Sequence, residues 1–453
     1  MHIHILGICG TFMGGVAALA RAAGHSVTGS DANVYPPMSA QLAALGIAVT
    51  EGYSADALQP QPDCVLIGNA LSRANPAVEA VLDRGLLYMS GPEWLARYVL
   101  CDRHVLAVAG THGKTTTSSM LAWILEDAGR SPGFLIGGVP ANFGITARYG
   151  DSPFFVVEAD EYDTAFFDKR AKFVHYRPRT LVLNNIEFDH ADIYTDLEAI
   201  LWQFHQLIRT VPGNGRILLN AGDRNLRRLL EMGCWTETEN FGLDDCADWR
   251  ASFSDAAGLA FCASNGADRA ETGWQLSGDY NLENAIAAIA AAHSAGVPLD
   301  RAVDAMSRFS GVKRRLERTD EVAGIFVYDD FAHHPTAIRR TIEGMKARYP
   351  GERLFIALEL RSNTMKLGVH NDTLAAALSG ADHVAIYRPD DAGIALDASV
   401  AELGDRLSVY GKYGDMLSGL RGRLLPGDHL VFMSNGGFGA VRERLTAALK
   451  AAL

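Results

Sequence analysis

Short apolar runs, each closed by a glycine turn and followed by a helical stripe, recur along the chain. Val105-Leu106-Ala107-Val108-Ala109 has the length and lack of polarity of a buried strand. Gly110 and Gly113 follow it as a tight turn, and Met120, Leu121, Ile124 and Leu125 then fall on one face of a helix. The chain opens in the same way. Ile3 to Leu6 predicts a strand, Gly7 to Gly15 a glycine loop, and a helix runs through Ala23. A second strand, Ser26 to Ser30, ends at Asp31. Further runs at Cys64 to Gly68, Phe154 to Val157, Thr180 to Leu183, Ile325 to Tyr328, Leu354 to Leu358, Val384 to Tyr387 and Leu430 to Met433 predict strands. Leu197, Ile200, Leu201, Phe204, Leu207 and Ile208 form a helical stripe that reads as core. Gly278 to Asn284 opens an alanine-rich helix through Ala292. Strands alternating with helices imply an α/β protein with parallel sheets.

Length and charge narrow this picture. With 453 residues the chain has room for about three domains. The pattern divides it into a Rossmann-like domain over 1–100, a P-loop ATPase-like domain over 101–312, and a second Rossmann-like α/β domain over 313–453. The last begins at the basic hinge Lys313-Arg314-Arg315. A net charge of −12 argues against a nucleic-acid partner, which needs a basic face. It leaves room for an anionic small molecule in a locally positive site. No run approaches the roughly 20 apolar residues of a membrane span, so no membrane partner is expected. Six scattered cysteines form no Cys-x-x-Cys pair and suit a reducing cytoplasm. A monomer or weak homo-oligomer is expected.

The chemistry concentrates at strand ends. Gly110-Thr111-His112-Gly113-Lys114-Thr115-Thr116 between a strand and a helix is a phosphate cradle. Glycine lets backbone N–H groups approach phosphate oxygens, and the helix N-terminus adds positive potential. Lys114, read as an exposed loop donor, would reach the β- and γ-phosphates, and the Thr115 hydroxyl would sit on Mg²⁺. Glu158 closes its strand beside this loop, where a Mg²⁺ ligand belongs; Asp160, Glu161 and Asp163 stay ambiguous. His190, also past a strand end, reads as a metal ligand in that company. In the first domain, Gly7, Gly10 and Gly14 give the wrong spacing for a dinucleotide fingerprint. A UDP-sugar diphosphate fits better, with Gly10, Thr11, Met13, Ser30, Asp31 and Asn69 as its candidate residues.

Together these stretches resemble the Mur ligases, the ATP-dependent amide-forming enzymes of peptidoglycan synthesis. The resemblance covers the whole chain. It rests on the phosphate loop, Glu158-Ala159-Asp160-Glu161, Asn185-Ile186-Glu187-Phe188-Asp189-His190, and Asp329-Asp330-Phe331-Ala332-His333-His334-Pro335. It implies that Asn281 binds adenine, that Arg315 and Asp330 bind nucleotide phosphate and ribose, and that Mg²⁺ or Mn²⁺ is needed. Within the family, the Asp329 to Pro335 run is similar to the subgroup that uses UDP-N-acetylmuramate directly, and the glycine loop, the Ser30 to Met38 stretch, Arg361-Ser362-Asn363-Thr364-Met365-Lys366 and Ser434-Asn435-Gly436-Gly437-Phe438-Gly439 are similar to one set of its members. These join it to the tripeptide L-Ala-γ-D-Glu-meso-diaminopimelate through an acyl phosphate; the alternative acceptor is free L-alanine. Arg361, Asn363 and Lys366 are then the expected peptide contacts, and His190 or Glu187 could serve as base. Many family members carry a carbamylated lysine after the Asp-His pair. Ala191 to Thr210 contains no lysine, so no carbamate is expected.

Overall fold

A computed structural model describes residues 1–35, 38–361, 365, 371–388 and 400–451. Three large sheets follow one another along the chain, and a two-stranded ribbon, Asp163–Ala165 with Asp168–Ala171, lies within the stretch of the second. The first sheet is all parallel, in the order Ala48–Glu51, Ser26–Asp31, His2–Leu6, Cys64–Ile67, Tyr88–Ser90. The order reverses between His2–Leu6 and Cys64–Ile67, so the glycine loop opens at a topological switch point, the usual ligand crevice of such sheets. His4 is the buried polar residue of the central strand. Burial lowers its pKa to about 4, and its ring bonds Thr28 Oγ1 at 2.8 Å and Ser30 Oγ at 2.9 Å.

The central sheet has ten strands. His104–Ala109 lies in its middle, parallel to Thr180–Leu183 on one side and Phe154–Ala159 on the other. Lys114–Asp127 packs on one face against Asp279–Ser294, whose alanines are almost wholly inaccessible and let the two helices approach closely. Leu197–Ile208 covers the other face with the predicted stripe, capped by Asp196, which accepts from the Ala199 amide at 2.8 Å. The apolar cluster on that face runs without a break from Ile3 through Leu135 and Phe173 to Leu229, so the first and central domains share a core. Three strands at one edge, Trp249–Phe253, Ala260–Ser264 and Arg269–Gly273, pair antiparallel, unlike the expected parallel pattern.

The third sheet runs Glu317–Val322, Ile325–Asp330, His429–Met433, Leu354–Glu359, His383–Tyr387, Leu407–Tyr410. Its four apolar strands are the four expected. Glu317–Val322 is an added antiparallel edge whose charged sequence hid it, since an edge strand buries only one side. The two-residue turn Ala323-Gly324, both at positive φ (52° and 72°), matches the twist of that hairpin. The hinge is held in a strained form: Arg314 and Leu316 have φ of 60° and 50°. Arg314 secures it by donating to the Ser434 and Gly436 carbonyls at 2.8 and 2.6 Å.

Candidate active site

The phosphate loop leaves the middle of the central sheet. Gly113 has φ of 81°, and a Cβ there would lie 2.4 Å from Asn284 Oδ1, so only glycine fits the turn. No side chain caps helix Lys114–Asp127, which leaves its first amides to an anion. Thr111 and His112 are pinned from the neighbouring strand end: the Asn185 carbonyl accepts from the Thr111 amide at 3.0 Å, and Asn185 Oδ1 from the His112 amide at 2.7 Å.

Lys114 is not the exposed donor its sequence position suggested. Its side chain is 12% exposed, folded back so that Nζ donates to the Gly110 carbonyl at 2.7 Å and to Glu161 Oε2 at 2.6 Å. Burial opposes its charge, but Glu161, Asp160 and Glu158 outweigh burial and hold the ammonium above its ordinary range. Glu161 Oε1 faces His190 Nε2 at 3.0 Å, so one carboxylate joins the loop lysine to the histidine. His190 sits at φ 57°, in the left-handed region where the Cβ of a non-glycine residue crowds the backbone, with its amide donating to Asp189 Oδ1 at 2.7 Å. Glu158 takes the Thr115 hydroxyl on Oε1 at 2.9 Å and the Gly137 amide on Oε2 at 2.7 Å. Arg315 reaches across from the hinge and donates to Thr115 Oγ1 at 2.9 Å.

These groups open into a cleft of ≈ 630 Å³ between the central and third domains. Every candidate for nucleotide or metal except Gly110 lines it, including Thr116, Asn281 and Asp330. Asn281 is the third residue of its helix rather than its cap, and its amide donates to the Ser277 carbonyl at 2.8 Å. Asp330 is buried, and that burial pushes its pKa up to about 6 against the pull of the Ala332 amide and Arg315.

The first-domain candidates lie apart from this cleft. Gly10 and Thr11 are exposed at the strand end, and Asn69 is half-buried. Asp31 organises the loop from below, accepting from the Cys9 amide at 2.9 Å and the Asn33 amide at 3.0 Å. The Ser30 hydroxyl is taken by His4, and the Met13 side chain is buried against Gly91. Phe12 links the two regions. Lys172 Nζ lies 5.5 Å from its ring centre and 2.8 Å from Asp160, which lines the cleft. Arg361 is exposed at the end of Leu354–Glu359, on the sheet edge that also carries Asp330, and lies over Gly436. Asn363 and Lys366 lie outside the described residues.

Three family models cover this architecture in order. The Mur ligase family catalytic domain matches residues 2–100, the Mur ligase middle domain 108–292, and the Mur ligase glutamate ligase domain 314–436. The chain belongs to the Mur ligase family. UDP-N-acetylmuramate–L-alanyl-γ-D-glutamyl-meso-2,6-diaminoheptandioate ligase of Escherichia coli is 52% identical to this Mur ligase, over 99% of this chain and 98% of its own. The enzyme of the same name from Haemophilus influenzae is 50% identical over 99% of each. A UDP-N-acetylmuramate–L-alanine ligase from Renibacterium salmoninarum is 34% identical over 85% of this chain and 81% of its own. Among solved structures, a murein peptide ligase from Psychrobacter arcticus superposes with a TM-score of 0.78 at 46% identity over 99% of both chains.

Sequence reasoning missed several members of the site. Glu161 was one of three undecided acids; its link to Lys114 spans 47 residues and leaves no local trace. Glu283, the fifth residue of the alanine-rich helix, pairs with Arg340 of the third domain at 2.6 Å. Thr336 donates to Glu187 Oε2 at 2.8 Å across the same interface. The signal for Glu283 was present: a charged residue at the buried start of an alanine-rich helix needs a partner.

Proposed function

We propose that this Mur ligase is a cytoplasmic enzyme of peptidoglycan recycling that joins L-Ala-γ-D-Glu-meso-diaminopimelate to UDP-N-acetylmuramate, converting ATP to ADP and phosphate. The identity pattern carries this reading: 52% over the whole chain to a tripeptide-adding enzyme, against 34% to an alanine-adding one. In this reading residues 1–100 bind the UDP-sugar, 101–312 bind ATP, and 313–453 close over the nucleotide and receive the peptide.

The chain's own groups suit that work. Muramate presents a carboxylate to a triphosphate, and the repulsion has to be offset. Lys114 and the uncapped helix start supply fixed positive charge at the β- and γ-phosphates. Arg315 and Asp330, from the hinge and the third domain, would hold phosphate and ribose, and Asn281 the adenine. The hydroxyl of Thr115 beside the Glu158 carboxylate is an oxygen pair of the kind Mg²⁺ takes, so the residues fit the ion; His190 would hold a second. Bound there, Mg²⁺ or Mn²⁺ would neutralise phosphate charge. Glu161 keeps His190 oriented toward the cleft, and closure of the third domain, braced by Arg340–Glu283, excludes water from the acyl phosphate. Gly10 and Thr11 would receive the diphosphate, with Phe12 and Lys172 behind them.

Phosphate release with UDP-N-acetylmuramate and either acceptor tests the proposal. Turnover should need UDP-N-acetylmuramate and be faster with tripeptide than with L-alanine. A preference for L-alanine overturns the acceptor, and turnover without any amine overturns the ligase.

A further inference from the structure

We propose that His112, Glu187 and His334 form a site for a divalent transition ion of the zinc class. It is separate from the Mg²⁺ position at Thr115 and Glu158, and its ion would clamp the third domain onto the phosphate loop. The three residues come from the phosphate loop, the loop after Thr180–Leu183, and the N-cap of helix Pro335–Arg348. Each offers one ligand atom, and the three atoms lie within 4.8 Å of one another.

Two of the three separations are near that of a four-coordinate ion. Ligands at about 2.0–2.1 Å from a tetrahedral centre are roughly 3.3 Å apart. Here Glu187 Oε2 lies 3.0 Å from His112 Nε2 and 3.5 Å from His334 Nδ1. The second separation is the informative one. His334 Nδ1 accepts the Thr336 amide at 3.2 Å, so it carries a lone pair and no proton. At 3.5 Å this nitrogen and the Glu187 carboxylate are two acceptors with no hydrogen between them, close enough for one cation to bridge. Two imidazoles and a carboxylate favour Zn²⁺, Co²⁺ or Ni²⁺ over Mg²⁺, which prefers oxygen. The Thr336 hydroxyl, bonded to Glu187 at 2.8 Å, orients that ligand from outside. His112 and Glu187 line the cleft, which gives the ion an entry path and space for a water as fourth ligand. On binding, His112 Nε2 releases its proton to solvent and His334 Nδ1 turns its lone pair from the Thr336 amide to the ion. Two domains are then joined through one centre. The inference does not depend on which amine the enzyme accepts.

The test uses the full-length protein without nucleotide, with Co²⁺ as the probe. One Co²⁺ per chain should bind with Kd on the order of 1–10 μM, give a visible ligand-field band, and be displaced by Zn²⁺. Glu187→Gln and His334→Asn should each weaken binding at least about 100-fold, and Thr336→Val about 10-fold, as loss of an orienting partner does. His190→Ala and Glu158→Gln should leave the affinity within about 3-fold, an effect of under 0.7 kcal/mol at 1.4 kcal/mol per decade. Circular dichroism establishes that each variant is folded, and Thr336→Val, which keeps all three ligand residues and removes only the hydroxyl bonded to Glu187 Oε2, serves if a ligand variant is not. Zn²⁺ should slow hydrogen exchange in helix Pro335–Arg348. Absence of Co²⁺ binding, binding that survives both ligand variants, or binding lost in His190→Ala overturns the site. Unchanged exchange overturns the clamp.

Discussion

Replacing Glu161 by glutamine removes a charge and almost no volume, at the point where Lys114 and His190 meet. The carboxylate is buried, 2.6 Å from Lys114 Nζ and 3.0 Å from His190 Nε2. Removing one partner of a buried pair costs about 3–5 kcal/mol when the other charge is left alone. Lys114 retains the Gly110 carbonyl at 2.7 Å and the charges of Asp160 and Glu158. The loss should therefore be about 2–3 kcal/mol, below that range. A bound triphosphate replaces the missing negative charge, so the loss falls on the nucleotide-free protein. By linkage the variant should bind ATP more tightly, by up to about 100-fold at 1.4 kcal/mol per decade. It should also turn over more slowly, because His190 loses the group that orients it. The pH dependence has two limbs. Burial would raise the Glu161 pKa, but Lys114 and His190 hold it below the ordinary range. Its stabilisation is present above the unfolded carboxyl pKa, near 4.3, and is lost as pH falls through the lower folded value. Burial would lower the His190 pKa, but the same carboxylate raises it. That adds a part present below about pH 6.5 and lost as pH rises through the raised folded value. The difference between wild type and variant should therefore fall as pH rises past neutrality and also shrink in acid. Urea unfolding with and without a non-hydrolysable ATP analogue, together with calorimetric ATP titration, measures both terms. Weaker ATP binding in the variant, or equal destabilisation with and without nucleotide, would refute the reasoning.

Asp330→Asn should stabilise the protein at pH 7.5 by up to roughly 3 kcal/mol at 1.36 kcal/mol per pH unit, since burial raises this carboxyl from 3.8 to about 6. That gain should vanish near pH 4, because a raised folded pKa contributes stability only below it; an equal gain at both pH values in urea unfolding would contradict this. The same variant should bind ATP more weakly. Gly113→Ala should abolish ATP binding in calorimetry, because its Cβ would meet Asn284 Oδ1 at 2.4 Å; retained binding would mean the loop relaxes freely. Glu158→Gln should raise the Mg²⁺ concentration needed for half-maximal turnover, and an unchanged Mg²⁺ curve removes it from the ion. Arg361→Ala should lower kcat/KM for tripeptide by about 10- to 1000-fold, from about 2–5 kcal/mol for truncating a charged contact, and change L-alanine turnover far less. A silent variant places the peptide elsewhere.

The parts of this fold legible in the sequence are those buried on two faces. Val105 to Ala109 and Leu181 to Leu183 are apolar throughout because helices cover both sides of the sheet, and their ends carry the site. Glu317–Val322 and Arg269–Gly273 were illegible for the converse reason: as edges they are charged on the solvent side and carry no apolar run. The site divides along a similar line. Gly113, Lys114 and Thr115 are adjacent in sequence, so one turn announces them. Glu161 and Thr336 act on groups 47 and 149 residues away, and no local pattern encodes such a pairing.

That division also explains why Lys114 was misjudged. A lysine in a glycine loop looks exposed because nothing in its own segment can neutralise it. In the folded chain three carboxylates converge on it from one neighbouring strand and the turn that follows, which together supply Glu158, Asp160 and Glu161. A chain of net charge −12 can therefore hold a cation at its phosphate site without exposing it. At physiological ionic strength charges beyond about 8 Å are largely screened. The overall negative charge thus matters little to an approaching triphosphate, and the contacts inside the cleft decide. Glu161 pairs with Lys114, and the same carboxylate holds His190 at 3.0 Å in its strained backbone. If the loop takes a triphosphate as proposed, phosphate oxygens would compete with Glu161 for Lys114, and arrival of nucleotide and release of His190 to a new partner would be coupled through a single side chain.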